Sequence, residues 1–251
     1  CLVLNARSDR LTDRRVRRAV FLAIDPETLP EQVEVDCRPL GAVFPARWMD
    51  ADRAQKVSFS PGHAENLLQQ AGWERNPDGW FCREGSPLTL QLLVDQRIRE
   101  PAELALALRQ QLSAFGIRLR LKYVQHWAHG RAFTAQEDGS LFFSSLGPSP
   151  AIVGANWTDD RLLPHPRPRL ASELAKLLRK LTTSHTLADQ QRLCTALHSA
   201  MQDTATVLPL VTPVRTEFAA ARLHGDIQGF FRSHCSAAAV LDWHVDAFGK
   251  E

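Results

Sequence analysis

The stretch LTLQLLVDQRIREPAELALALRQQLSAFGIRLRLKYV, residues 88–124, decides the fold class. Leu88 to Val94 is typical of a strand, and Pro101 to Phe115 carries leucines at the spacing of one helical face. Ile117 to Val124 then alternates apolar and basic residues, as a half-exposed strand does. A connection of this length is a crossover rather than a hairpin. The stretch therefore predicts two parallel strands joined by a helix, within an α/β domain that has a mixed sheet.

Further helices and strands are predicted on either side of this unit. Asp13 and Ser60 are the expected N-caps of two helices, and Gly72 is expected to end the second one. The other predicted elements are strands at Leu2 to Asn5, Ser140 to Ser145 and Thr206 to Val211, and helices at Leu170 to Leu181 and Ala188 to Met201. No internal repeat separates them, so one α/β domain over residues 1–251 is the simplest organisation.

The composition excludes several classes of protein. The 251 residues are 44% hydrophobic and 23% charged, which is ordinary for a globular domain. Lys and Arg total 30 against 28 Asp and Glu, so little net charge attracts a nucleic acid. The apolar stretches are shorter than the roughly 20 residues of a membrane-spanning helix. The 5 cysteines show no CxxC spacing, which argues against structural zinc and favours mostly free thiols and a reducing compartment.

No catalytic or metal-binding motif is present. The sequence lacks GxSxG, HExxH, a P-loop and GxGxxG, so we predict a protein that is not an enzyme and needs no cofactor. His126 and His129 could share a metal, but no acid or cysteine at ligand spacing supports them, and no metal site is predicted. The basic run from Arg14 to Arg18 is interpreted as the solvated face of the first helix, because its charges are interleaved with apolar residues.

Four motifs, in order, resemble the family 5 bacterial extracellular solute-binding proteins, which include oligopeptide, dipeptide and nickel receptors. They are DRRVRRAVFLAIDPETL (residues 13–29), FSPGHAENLLQQAGW (59–73), LRQQLSAFGI (108–117), and Leu208-Pro209-Leu210 followed by Gly229-Phe230. The second motif, for example, is similar to the family's Y-D-P-x-x-A-x-x-L-L-x-x-A-G-W. The resemblance reaches from the first residue to about Phe230. It implies a lobe of the type II periplasmic-binding-protein kind, with a mixed sheet flanked by helices. This would be the C-terminal lobe of a two-lobed receptor whose N-terminal lobe precedes Cys1.

In such a receptor the solute is enclosed between the lobes, on loops at strand ends, as is general for open α/β sheets. The predicted ligand-binding residues lie on the loops from Val43 to Arg47 and from Ser144 to Gly147, and elsewhere. They are Asn5, Phe44, Arg47, Trp127, Ser144, Ser145 and Leu146. The alternative is that Phe44 packs beneath its own loop while Phe143 and Leu146 close the core. Phe142 to Pro150 matches the family's amine-binding stretch but lacks its acid, which argues against dipeptide or oligopeptide binding.

Two kinds of protein carry a lobe of this type. SgrR-type transcription regulators have a similar region behind a winged helix-turn-helix, and Phe44 to Trp48 with Asp52-Arg53 is similar to their L-P-R-W … A-R stretch. Those regions also lack the acid, so we predict the ligand-sensing region of a cytoplasmic regulator. The alternative is the C-terminal lobe of a periplasmic ABC-transport receptor that docks on a permease. In either case the ligand is a small solute, whether a peptide, a sugar-like molecule or another, and this lobe contacts no nucleic acid.

Overall fold

The computed structural model describes residues 1–45, 48–50, 58–95, 99–124, 137–141, 150–156, 168–214, 223–224 and 244–245, and the structural statements below concern these residues. The helices are α1 (Arg14–Leu22), α2 (Pro61–Gln70), α3 (Arg99–Phe115), α4 (Pro150–Asn156), α5 (Pro168–Thr182) and α6 (Leu187–Thr204), with a 3-10 turn at Leu29–Gln32. The strands are β1 (Leu2–Leu4), β2 (Cys37–Pro39), β3 (Glu74–Arg75), β4 (Phe81–Arg83), β5 (Ser86–Pro87), β6 (Thr89–Asp95), β7 (Arg118–Val124), β8 (Gly139–Leu141), β9 (Val207–Leu208), β10 (Val211–Pro213), β11 (Leu223–His224) and β12 (His244–Val245).

A mixed sheet of five strands, in the order β7-β6-β8-β1-β9, forms the centre of the fold. β6 pairs in parallel with both β7 and β8, whereas β1 is antiparallel to β8 and to β9. The parallel β6-α3-β7 crossover predicted from the sequence is confirmed. β6, β7, β8 and β9 therefore run in one direction. Their carboxyl ends lie at one edge of the sheet, the carboxyl edge, and their amino ends lie at the other, the amino edge, where β1 finishes.

Helices cover both faces of this sheet, as the predicted architecture requires. On one face, α1, α2 and α3 pack over Leu90, Leu92 and Val94 of β6 in a large apolar cluster. On the other face, α5 and α6 pack over Val3 and Val207 in a second cluster. Strand β1 contributes to both clusters, because successive side chains of a strand point to opposite faces. A short strand buried on both faces explains why Leu2 to Leu4 reads as an unbroken apolar run.

Local sequence signals explain where two of the helices begin and end. The Asp13 carboxylate accepts a hydrogen bond of 2.8 Å from the Arg15 backbone N–H, which confirms it as the N-cap of α1. Ser60 is the N-cap of α2 by position, but its side chain makes no capping hydrogen bond, and Pro61 opens the helix instead. Gly72 follows α2 with φ +81°, a left-handed conformation that glycine adopts without strain.

Two sequence-based expectations are wrong in detail. The strand predicted from Thr206 to Val211 is divided into β9 and β10, which belong to different sheets. Pro209, between them, has no N–H to donate to a ladder. The basic run from Arg14 to Arg18 is not wholly solvated, because the Arg17 side chain is buried and the residue is only 2% exposed.

Arg17 is buried with its guanidinium bound to backbone carbonyls of the segment just before α1 and of the distant end of α6. Nη2 and Nε donate to the Thr204 carbonyl at 2.8 and 3.1 Å, and Nη1 donates to the carbonyls of Leu11 and Thr12. Burial lowers the pKa of Arg17 to about 10, so the side chain stays charged at neutral pH. Because Thr204 is the last residue of α6, Arg17 links α1 to the end of a helix on the opposite face of the sheet.

Within the described ranges, no helix is long and apolar enough to cross a membrane.

Candidate functional site

The strand order predicts a crevice at the carboxyl end of β6. From β6 the chain passes through α3 to β7 on one side, and from β7 it returns past β6 to β8 on the other side. Where connections diverge to either side of one strand, open α/β sheets leave a crevice beyond its carboxyl end, and ligands bind there. The carboxyl edge at β6 is therefore the candidate site.

The described residues at this edge offer one carboxylate, one phenol and apolar surface. Asp95 ends β6 half-buried and lies opposite Val124 of β7 in the parallel register. Tyr123 precedes Val124 and is 48% exposed, and Leu141 ends the neighbouring β8. This combination suits non-covalent binding of a solute with polar and apolar parts. Among the described residues, no group of three or more His, Cys, Asp or Glu is placed to hold a metal ion.

Most of the predicted ligand-binding residues lie outside the described part of the chain, namely Arg47, Trp127, Ser144, Ser145 and Leu146. For some of them, the described strands show only at which edge of the sheet the chain leaves the strand that precedes them. It leaves β7 for Trp127 and β8 for Ser144 at the carboxyl edge. These residues stay predictions.

Asn5 lies at the opposite, amino edge, directly after β1. It is 1% exposed, and its amide Nδ2 donates to the Glu137 carbonyl at 2.7 Å. Its Oδ1 accepts from the Arg7 backbone N–H at 3.0 Å. Both ends of the amide are thus engaged inside the lobe. As a solute contact Asn5 stays a prediction, and the geometry favours a supporting role.

Phe44 is buried in the second apolar cluster together with Trp48 and Met49, against residues of α5 and α6. The same segment is tied down by the Asp50 backbone N–H, which donates to the Thr195 hydroxyl of α6 at 2.9 Å. Of the two interpretations drawn from the sequence, packing beneath its own loop describes this position of Phe44. Its contact with a solute stays a prediction.

A buried polar cluster at the amino edge was not foreseen from the sequence. Asp138, 1% exposed, accepts hydrogen bonds from the Ser8 hydroxyl and, at 2.7 Å, from the Gln91 backbone N–H. Arg10 approaches the same carboxylate at 3.5 Å. Burial raises the pKa of Asp138, although these donors and the Arg10 charge act in the opposite direction. The acid pair Glu137-Asp138 just before a strand was the available signal, but nothing local indicated that it is buried.

This cluster also fixes both ends of the connection between β7 and β8. Lys122, near the end of β7, lies 3.3 Å from the buried carboxylate of Glu137. Glu137 is held by Asn5 and Asp138 by Ser8, immediately before β8 begins. Since Trp127 belongs to that connection in the sequence, we interpret the cluster as a support for the candidate site rather than as a contact within it.

Comparison with known proteins agrees with the fold. The family model described as bacterial extracellular solute-binding proteins, family 5 Middle, matches residues 1–156. The chain therefore belongs to family 5 of the bacterial extracellular solute-binding proteins. It is 27% identical over 130 residues to the oligopeptide-binding protein AppA of Bacillus subtilis (strain 168). That alignment covers 48% of this chain and 23% of AppA.

Solved structures share the fold at low sequence identity. NikA from Brucella suis, in complex with Fe(III)-EDTA, is 21% identical with a TM-score of 0.67, over 84% of this chain and 44% of NikA. The periplasmic oligopeptide-binding protein of Thermotoga maritima, bound to mannohexaose, is 14% identical with a TM-score of 0.73, over 98% of this chain and 52% of that protein. This chain thus corresponds to about half of each of these structures.

Proposed function

We propose that this chain is the C-terminal lobe of a two-lobed receptor that binds a small solute for an ABC transporter. The observation that carries the proposal is the match of the family 5 model to residues 1–156. The strand order, which predicts a crevice at the carboxyl end of β6, supports it. A lobe of this kind contributes one wall of the site, and an N-terminal lobe contributes the other.

The mechanism is enclosure rather than chemistry. A solute first touches the loops that follow β6, β7 and β8, and closure of the second lobe then removes it from water. Enclosure strengthens each polar contact because the surrounding dielectric falls. In this scheme Trp127 offers a flat apolar surface, and Ser144 and Ser145 offer hydroxyl groups and backbone N–H groups. Arg47 and Leu146 complete the proposed wall, whereas Phe44 is buried beneath its own loop.

The solute class depends on side chains in the crevice rather than on the fold. The relatives named above are an oligopeptide-binding protein, a protein in complex with Fe(III)-EDTA and a protein bound to mannohexaose. One lobe architecture therefore serves peptides, metal chelates and oligosaccharides. Because residues 142–150 contain no acid for an α-ammonium group, we place chelates and sugar-like solutes ahead of peptides for this chain.

The sequence alone favoured a sensing region of a transcription regulator over a transport receptor. AppA is an oligopeptide-binding protein and the Thermotoga maritima protein is the binding protein of an ABC transporter, so they support the transport receptor, which the sequence analysis held as the alternative. The regulator remains a prediction. The residues that precede Cys1 in the complete protein distinguish the two, since a regulator has a winged helix there and a transport receptor has a signal peptide.

Calorimetry on the complete protein tests the proposal, with an oligopeptide, Fe(III)-EDTA and mannohexaose as probes. We expect one of the three to bind, and Trp127→Ala and Ser145→Ala each to weaken that binding at least about tenfold, since each removes a contact that is enclosed in the closed receptor. Trp80→Ala and Ser113→Ala are matched controls, because both residues lie at the amino edge, remote from the crevice. Unchanged affinity in both site variants, with the fold intact, would mean that the solute binds elsewhere.

A further inference from the structure

A groove of about 330 Å³ lies at the amino edge of the lobe, away from the solute crevice. Its walls come from the turn after α1, the start of α2 and the end of α3. The lining residues used below are Ala23, Phe59, Pro61, Gln111, Ala114 and Phe115. α3 runs from the carboxyl edge to the amino edge, so Ala114 and Phe115 mark the end remote from the crevice.

The groove exposes more apolar surface than the fold requires. Phe59 is 48% exposed, although residues only a few positions further along the sequence belong to the apolar cluster beneath α1 and α2. Its ring stands at the rim, and Ala114, also exposed, continues the apolar surface toward Phe115. Apolar residues that line one exposed groove together, unlike single exposed ones, often mark a protein contact.

One rim of the groove is strongly acidic. Residues 25–36, DPETLPEQVEVD, contain five acidic residues and no basic residue, while the whole chain has a net charge of +2. Glu27, Glu31, Glu34 and Asp36 are exposed, and Asp25 and Thr28 from the same segment line the groove itself. The negative charge is therefore continuous with the apolar surface. Arg75 lies over the Phe115 ring, but it is paired with Glu65 at 3.4 Å, so its charge is already compensated.

The acidic segment is held in place, so it presents its charges in a fixed arrangement. Gln111 of α3 accepts from the Asp25 backbone N–H at 2.9 Å. Its NH₂ group lies within hydrogen-bonding distance of the Asp25 carbonyl, the Thr28 hydroxyl and the Gln32 side-chain oxygen, and its two N–H groups donate among them. The amide of Gln111 thus fastens the segment to α3. A preformed surface of this kind loses little conformational entropy when a partner docks.

We propose that this groove and its acidic rim dock a basic segment of a partner protein, one that inserts a large apolar side chain beside Phe59 and places Lys or Arg against residues 25–36. The choice of partner follows from charge complementarity, because a cluster of like charge attracts the opposite sign and repels its own. A peptide segment fits better than a small molecule, since the acids are distributed along twelve residues rather than around one point. The surface is remote from the crevice, so docking does not require the solute site to be empty.

Fluorescence anisotropy on the complete protein tests the proposal. The probe is a short labelled peptide in which a single Phe is flanked by Lys residues, and the comparison peptide carries Glu in place of each Lys. We expect the Lys peptide to bind, more weakly as salt rises because exposed charges are screened beyond ~10 Å at 0.1 M, and the Glu peptide not to bind. Glu27→Lys with Glu31→Lys should weaken binding by about tenfold and flatten the salt dependence. Phe59→Ser should weaken it to a similar extent and leave the salt dependence unchanged.

Matched controls separate docking from general attraction between charges. Glu74→Lys with Glu173→Lys makes the same change in net charge at two exposed positions outside the groove, and Leu187→Ser removes an apolar side chain that is 59% exposed. We expect both controls to bind the peptide as the unchanged protein does. Equal loss in the control and groove charge variants, or no loss with Phe59→Ser in a protein whose thermal unfolding is unchanged, overturns the proposal. So does absence of binding by the Lys peptide.

Discussion

Replacing Asp138 separates the cost of burying its charge from the value of its hydrogen bonds. The carboxylate is 1% exposed and has only donors around it: the Ser8 hydroxyl, the Gln91 backbone N–H and, farther away, Arg10. Asp138→Leu leaves two buried donors without an acceptor, at about 1–3 kcal/mol each. Loss of the half-exposed Arg10 contact adds close to nothing. Relief of the buried charge offsets part of the loss, so we expect a net decrease of about 2–4 kcal/mol in the free energy of unfolding.

Asp138→Asn behaves differently, because an amide keeps one acceptor oxygen for Gln91 while its NH₂ group donates to the Ser8 hydroxyl, which accepts as well as donates. We expect a loss of at most about 1 kcal/mol. The pH dependence gives the sharper result. Burial raises the folded-state pKa of Asp138, so the folded protein binds the proton more tightly than the unfolded chain does. Its ionised form therefore costs stability, and this cost develops as the pH rises from the ordinary aspartate pKa through the folded-state pKa.

Urea unfolding followed by tryptophan fluorescence, at several pH values from the ordinary aspartate pKa up to neutral, measures both effects. The stability of Asp138→Asn relative to the unchanged protein should increase as the pH rises across this window. Asp203→Asn is a matched surface control, since the Asp203 side chain is 70% exposed, and we expect no measurable change. A relative stability of Asp138→Asn that does not vary with pH, or an Asp138→Leu variant as stable as the unchanged protein, would refute this reasoning.

Three further predictions concern Arg17, Gly116 and the thiols. Arg17→Met should lower the free energy of unfolding by about 3–5 kcal/mol in urea titrations, because it leaves buried carbonyls, including that of Thr204, without their donor. Gly116→Ala should cost more than about 2 kcal/mol, since φ is +102° and a Cβ would lie 2.3 Å from a backbone oxygen, whereas Gly62→Ala, with open space in α2, should be neutral or slightly stabilising in thermal unfolding. Titration without reductant should count at least three free thiols in denaturant. Of the cysteines that the structure describes, Cys194 should react last in the native protein, because burial raises its pKa to about 12.

The part of the fold that could be predicted from sequence is the part that local periodicity determines. The leucine spacing of α3 and the alternation in β7 gave a parallel crossover that the structure confirms. The N-cap at Asp13 and the left-handed glycine at Gly72 are equally local signals. In contrast, the division of β9 from β10 depends on β2, a strand far away in the sequence that pairs with β10 alone.

The buried polar groups could not be predicted, because their partners are distant in sequence. Asn5 and Glu137 are 132 positions apart, Ser8 and Asp138 are 130 apart, and Arg17 and Thr204 are 187 apart. Nothing in the composition of residues 14–18 distinguishes the buried arginine from its solvated neighbours. The candidate site was located by resemblance and by the general rule for strand ends. Two of the predicted ligand-binding residues, Asn5 and Phe44, are described, and both are buried. The sequence pattern marked them only as a polar residue at a strand end and an aromatic residue in a loop.

The position of β1 has a consequence for how this chain acquires its fold. β1 is among the first residues of the sequence, yet it lies between β8 and β9, with Leu2 opposite Leu141 on one side and Leu208 on the other. Its final partner therefore emerges from the ribosome roughly two hundred residues later, at about 5–20 residues per second. Contacts of such high contact order form slowly, because a long loop must close before they contribute. Until β8 is made the strand has two unsatisfied edges, and until β9 is made it still has one. A chaperone that covers this apolar tripeptide during synthesis would therefore raise the folding yield more than one acting on the crossover, whose partners are close in sequence.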